Sequence, residues 1–241
     1  MYALTFDIDW AHDAVLDWTL ELLDRYNARA TFFCTHKVNL GRHEYALHPD
    51  YQKEANRRDA IAKLKDIYPQ ACGVRSHGME IALGKDFELY ESFGIRYDSN
   101  YAMQRVKNIK PFFLMNEIVE IPLYFGDAFL VYDRSSFKDR LFNLSHWLSP
   151  ENGLAVFAFH PIHIYLNTAS LDHYNDCRPY FSDHKKLWAM RNKGTGVYSF
   201  IIELLNYLKA NNYPLNTLKE IDREFRKEME INVSQACHIK N

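Results

Sequence analysis

The chain has 241 residues, 47% of them hydrophobic and 25% charged, with a formal net charge of −2. A charge so close to balance, with no block of like charges, excludes a nucleic-acid partner as the main business of the protein. The composition is that of a globular protein, which excludes disorder, collagen-like repeats and coiled coil, and the length fits one α/β domain over residues 1–241.

Residues 2–8 are apolar and stop at Asp7 and Asp9, which predicts a buried strand with two acids at its C-terminal end. Residues 13–26 carry Val15, Leu16, Thr19, Leu20, Leu22 and Leu23 at helical spacing, and 30–35 read as a second strand. Strand, helix and strand at these lengths form a βαβ unit and imply a parallel sheet. A short strand over 45–48 ends at His48, a polar helix spans 51–67, and a strand over 71–74 ends at Arg75, Ser76 and His77. A helix over 85–93, strands over 95–98 and 118–123, and a helix over 138–148 follow. The apolar strand 153–159 then runs into His160, Pro161, Ile162 and His163. Residues 198–209 predict an amphipathic helix and 219–230 a solvated one, whereas 167–196 lacks periodicity and reads as a long loop or cap.

Aromatic residues reach 15%, which predicts a ring-rich core and rim, or ring platforms for a sugar. Cys34, Cys72, Cys177 and Cys237 form no C-x-x-C pair, so neither a disulfide framework nor a structural zinc knuckle is expected. The first residues carry no signal-peptide pattern, and no run reaches the roughly 18 apolar residues of a membrane span, so a cytoplasmic protein is expected.

The residues best able to do chemistry sit where apolar strands stop: Asp7, Asp9, His48, Arg75, His77, Asp98, His160 and His163. In parallel α/β folds, sites lie at the carboxyl ends of strands, so these side chains are expected to converge on one cleft. Asp7 and Asp9 are two apart and point to one face; they repel unless a cation, an arginine or a shared proton separates them. They read as a general base and a metal ligand. An apolar strand feeding directly into two histidines is costly unless both find partners, which marks His160 as catalytic. His36 is a lesser strand-end candidate. The D-x-D spacing also fits haloacid-dehalogenase-type phosphatases, with Asp7 as nucleophile and Mg²⁺ as cofactor, but Ala11 stands where that class has Thr or Val.

Taken in order, Thr5-Phe6-Asp7-Ile8-Asp9, Ala30-Thr31-Phe32-Phe33, the turn into His48, Gly73-Val74-Arg75, Gly94-Ile95-Arg96-Tyr97-Asp98-Ser99 and Phe159-His160-Pro161 resemble the polysaccharide deacetylases. These are the NodB-type enzymes of carbohydrate esterase family 4, and the resemblance covers residues 2–165. It implies a distorted (β/α)7 barrel and a divalent metal, usually zinc. It also implies hydrolysis of an N-acetyl or related N-acyl amide on a sugar or saccharide precursor. By the same resemblance Asp7 is the base, Asp9 and His48 are metal ligands, Arg75 holds the base, Asp98 supports the site and His160 is the general acid. The family's H-x-x-x-H pairs His48 with a second histidine; here that position is Gln52, so the third ligand is expected from His77, then from His36. Trp10, Asp98 and His163 are expected to contact substrate. Ser76 stands where the family has proline after the arginine, and the runs Arg75-Ser76-His77 and His160-Pro161-Ile162-His163 suggest a divergent branch, which by resemblance is one tied to bacterial surface-polysaccharide biosynthesis. Gln52 also keeps open a non-catalytic carbohydrate-binding module on the same scaffold.

Overall fold

The computed structural model of the protein describes residues 1–9, 12–82, 84–132, 143–148 and 153–238. At its centre lies β1 (Tyr2–Ile8), six of whose seven residues are buried. A parallel strand covered on both faces is apolar along its length, and β1 is so until Asp7. It pairs in parallel with β2 (Thr31–Cys34) on one side and with β9 (Ala155–Phe159) on the other. Beyond β2 the sheet continues in parallel through β3 (Glu44–Leu47), β4 (Gly73–Val74), β5 (Tyr97–Asp98) and β7 (Val119–Glu120). β8 (Phe125–Gly126) flanks β9, and β6 (Phe112–Phe113) runs antiparallel at the far edge. The nine strands curl into a partial barrel, the architecture expected of a distorted (β/α)7 barrel.

The helices are α1 (Asp13–Arg25), α2 (Arg57–Ile67), α3 (Asp86–Ser92), α4 (Asp127–Tyr132), α5 (Pro161–Leu166), α6 (Leu171–Cys177), α7 (His184–Ala189), α8 (Val197–Ala210) and α9 (Leu218–His238). α2 starts later than residue 51 because Asn56 caps it, its side chain accepting from the N–H groups of Arg58 and Asp59. The stretch 167–196 is not a loop: it holds α6 and α7, six or seven residues each, too short to show a period. Their starts are marked instead by Ser170, accepting from His173 N–H, and Asp183, accepting from Lys186 N–H. The helix expected over 138–148 lies mostly outside the described residues; Leu144–His146 form a 3-10 turn. No helix among the described residues is long and apolar enough to cross a membrane.

The aromatic excess fills the core. Phe6, Phe32, Phe125, Phe157, Phe159 and Phe200 are fully buried, with Phe125 stacked on Phe200 at 4.6 Å. A second apolar cluster joins Leu47 and Val74 on the sheet to Ile61, Leu64, Phe87 and Tyr90 on α2 and α3. Close packing also explains Gly73. A Cβ there would lie 1.9 Å from the ring of Tyr97. That ring is pinned, because its hydroxyl donates to Glu44 at 2.8 Å, and Glu44 in turn accepts from Lys219 N–H at the start of α9. Gly73→Ala is expected to cost about 1–3 kcal/mol through overpacking, seen as a fall of roughly 3–10 °C in Tm by differential scanning calorimetry. An unchanged Tm would show the ring to be free to move.

Candidate active site and metal centre

Asp9 follows the last residue of β1, and three histidines from other strand ends meet its carboxylate. Oδ1 lies 3.2 Å from His48 Nε2, past β3, and 3.1 Å from His77 Nδ1, past β4. Oδ2 lies 3.4 Å from His160 Nε2, past β9. The parallel order of the sheet explains this convergence: β1, β3, β4 and β9 all deliver their C-terminal ends to one rim. Burial works to raise the Asp9 carboxyl, but the imidazoles of His48, His77 and His160 gathered around it outweigh burial and hold the group well below the usual carboxylate range.

His48 decides what the cluster needs. Its side chain is 2% exposed, and Nδ1 sits 2.7 Å from the carbonyl of Arg75, which can only accept. The proton is therefore on Nδ1, and the lone pair of Nε2 points at a carboxylate oxygen with no hydrogen-bond partner of its own. Two lone pairs facing each other at 3.2 Å require a cation between them, either a second proton or a metal ion. Asp9, His48 and His77 offer one ligand atom each, all within 4.8 Å of one another, and a carboxylate with two imidazoles is a donor set that suits zinc. The Nδ1–H to carbonyl bond is the kind of outer support that orients a ligating histidine.

Asp7 is the neighbouring acid on β1. Arg75, 1% exposed, donates from Nη1 to Asp7 Oδ1 at 2.8 Å and to Thr5 Oγ1 at 3.0 Å. Its other donors go to Ser99, to the carbonyl at 2.8 Å and the hydroxyl at 2.9 Å, and its guanidinium lies over the ring of Phe33. Asp7 is thus held in place by a charge that cannot itself leave its bonds. A cavity of about 20 Å³, large enough for one water, touches both Asp7 and Asp9 and is otherwise lined by Leu16, Ile162 and Tyr174 among others. On the side of His48 and His77 a groove of about 250 Å³ opens past Asp50, Lys53 and Lys63.

His160 is gripped by Asp127 at the start of α4. The backbone N–H donates to Oδ2 and Nδ1 lies at Oδ1, both at 2.7 Å. Burial works to lower the imidazole, but the charge and hydrogen bond of Asp127, with Asp9 and Asp7 behind, push it up to about 10. At neutral pH His160 is therefore protonated, with Nε2 facing the cluster.

The sequence reading located Asp7, Asp9, His48, Arg75, His77 and His160 individually, and the structure brings all six together. The expected substrate contacts fare differently. Asp98 has no exposed surface: it lies in register beside Glu120, and its neighbour Ser99, not Asp98, faces Arg75. His163 is not on the strand but on α5, buried against Tyr174 with Nδ1 at Thr168 Oγ1, and burial pushes it down to about 4. Asp98 does not reach the cleft, whereas His163, though buried, lies within 4.8 Å of Asp127 and His160 at its wall, and Trp10 lies outside the described residues. His36, the alternative third ligand, turns instead to Asp13 at 3.1 Å and Thr35 at 2.9 Å. Asp127 was missed altogether. It follows Tyr124-Phe125-Gly126, whose two-residue strand is too short to read as a strand from the sequence.

Residues 4–178 match the model of the WbmS-like polysaccharide deacetylase family. The chain is similar in structure to a Bordetella bronchiseptica protein, WbmS, assigned as a polysaccharide deacetylase involved in O-antigen biosynthesis, at 27% identity and a TM-score of 0.76 over 86% of this chain and 90% of that one. A protein of Mycobacterium smegmatis assigned as a polysaccharide deacetylase shares the fold at 16% identity and a TM-score of 0.56, over 95% of this chain and 90% of that one. So does 4-α-glucanotransferase of Thermococcus litoralis, at 14% identity and a TM-score of 0.51, over 91% of this chain and 39% of that one. No curated protein matches the sequence.

Proposed function

The chain belongs to the WbmS-like polysaccharide deacetylases, and from that premise we propose that it is a metal-dependent hydrolase of an N-acetyl or related N-acyl amide on a saccharide. The observation that carries the metal dependence is the unpartnered Nε2 of buried His48 facing Asp9, with His77 completing a three-donor set. A divalent ion held by Asp9, His48 and His77, zinc before others, would act as a Lewis acid toward the amide and acidify the attacking water.

The chain's own groups supply the proton transfers. Asp7, touching the water-sized cavity and fixed by Arg75, would take the proton from the attacking water. His160, kept protonated by Asp127, would give its proton to the departing nitrogen, which is a poor leaving group as an amide anion. Base and acid flank Asp9, so the scissile carbon would sit between them with its carbonyl oxygen toward the cation. The sugar portion would extend into the groove past Asp50, Lys53 and Lys63. The 27% identity to a protein assigned to O-antigen biosynthesis supports a surface-polysaccharide sugar, free or carrier-linked, as the substrate.

Asp7→Asn separates the base from the ligands. Removing a positioned base is expected to lower turnover about 10²- to 10⁴-fold, while zinc content stays at the wild-type level. The assay follows release of free amine from a panel of N-acylated sugars and nucleotide sugars, with metal measured on the same samples. Full turnover in Asp7→Asn would remove Asp7 from the mechanism.

A further inference from the structure

On the face of the sheet packed under α2 and α3, two carboxyls stand side by side. Asp98 on β5 is the register partner of Glu120 on β7, and both have no exposed surface. Neither receives a hydrogen bond from a cation. Asp98 Oδ2 accepts from Asn100 Nδ2 at 2.9 Å, and Glu120 accepts from the backbone N–H groups of Asn100 at 3.4 Å and Tyr101 at 3.1 Å. Two ionised carboxylates cannot share such a place, so one proton is held between them. Burial, the largest cause for each, raises both acids, consistent with that shared proton.

The pair has a consequence for Asn100. Because Nδ2 is committed to Asp98, Oδ1 must point the other way, where it accepts from Ser76 N–H at 3.0 Å. Ser76 opens the turn that carries His77. That turn is not a relaxed one: Gly78 and Met79 both have positive φ, at 69° and 57°. It is tied by Asn100 Oδ1, which accepts from Ser76 N–H at 3.0 Å and lies 3.1 Å from the Ser76 hydroxyl, by that hydroxyl on Glu80 O at 2.6 Å, by Met79 N–H on Ser76 O at 3.0 Å and by His77 N–H on Pro49 O at 2.9 Å. Only the first of these reaches the acid pair.

We propose that Asp98, Glu120 and Asn100 form a buried positioning unit that sets the amide of Asn100 in one orientation and, through Ser76, holds His77 against Asp9. Asp98 and Glu120 have no exposed surface and Asn100 almost none. The unit acts on the metal centre through the backbone, and it rests on the reading of His77 as a ligand.

The test uses full-length protein with zinc and cobalt alone as probes. Asn100→Ala is expected to weaken zinc binding about 10- to 100-fold in competition with a chromophoric chelator, the range seen for outer supports of metal ligands, and to alter the visible absorption of the cobalt form. Glu120→Gln keeps a neutral donor toward Asp98 and an oxygen to accept from Tyr101 N–H, giving up only the longer 3.4 Å contact with Asn100 N–H, and is expected to bind zinc within about threefold of wild type. If Asn100→Ala shows no thermal transition, Asn100→Ser carries the same comparison. Wild-type affinity and an unchanged cobalt spectrum in Asn100→Ala would overturn the proposal while leaving the metal centre standing. A Glu120→Gln loss as large as that of Asn100→Ala would overturn the role of the shared proton. A wild type that binds neither metal would instead bring down the metal-dependent reading itself.

Discussion

Asp9→Ala is expected to abolish both metal binding and turnover, the largest single effect in the molecule. One carboxylate is the meeting point of His48, His77 and His160, which come from three different strand ends. Without it the three imidazoles face one another across a gap, with no negative charge to offset a cation. Turnover should fall at least about 10³-fold, the scale of losing a group that stabilises developing charge. Elemental mass spectrometry of protein purified without chelator should find about one divalent ion per wild-type chain and none in the variant, as expected of a three-ligand site. An ion retained by Asp9→Ala would show that the donor set is wrongly drawn. A wild type that takes up no ion even from added zinc would identify a proton as the cation between His48 and Asp9.

Asp127→Asn acts on the other half of the chemistry. Both oxygens of Asp127 receive a donor from His160, the backbone N–H and the ring. An asparagine offers one acceptor and one donor in the same space, so one of the two contacts is lost or reversed. The negative charge that lifts His160 to about 10 goes with it, and the imidazole falls toward the deprotonated form. A general acid works only while protonated, so activity is lost as pH rises through its pKa. Lowering that pKa moves the alkaline limb of kcat/KM to lower pH, and at neutral pH turnover should fall about 10²- to 10³-fold. Stability shifts with the same sign. The raised pKa of His160 stabilises the wild-type fold fully below about 6.5 and less as pH climbs through about 10, a dependence the variant should lack. The measurement is a pH–rate profile with a nuclear magnetic resonance titration of the His160 ring. An alkaline limb unmoved in Asp127→Asn would detach the acid role from this pair.

Much of the site was readable because its residues obey one rule: polar side chains at the stops of buried parallel strands. β1 and β9 announce themselves as apolar runs, and Asp7, Asp9 and His160 are where those runs end. The rule failed in two ways. β8 is two residues long, too short to register as a strand, and Asp127 beyond it went unseen. Asp98 was placed in the cleft because it ends a strand, yet a strand turns successive side chains to opposite faces. Ser99 takes the inner face and bonds Arg75, so Asp98 is sent outward to Glu120. Deciding between them needed the fold, since sequence alone does not say which face is the barrel's interior.

The position of β1 between β2 and β9 bears on how the chain is made. Tyr2 pairs with Ala155, so one edge of the central strand stays unpaired until the stretch around Ala155 has emerged from the ribosome. By then Asp9, His48, His77 and Asp127 have been synthesised, whereas His160 follows only with the end of β9. The nascent protein therefore owns its cation-binding residues well before its proton donor. In the interval the bare edge of β1 is a template for pairing with the wrong chain, a hazard that rapid elongation or a bound chaperone would have to cover.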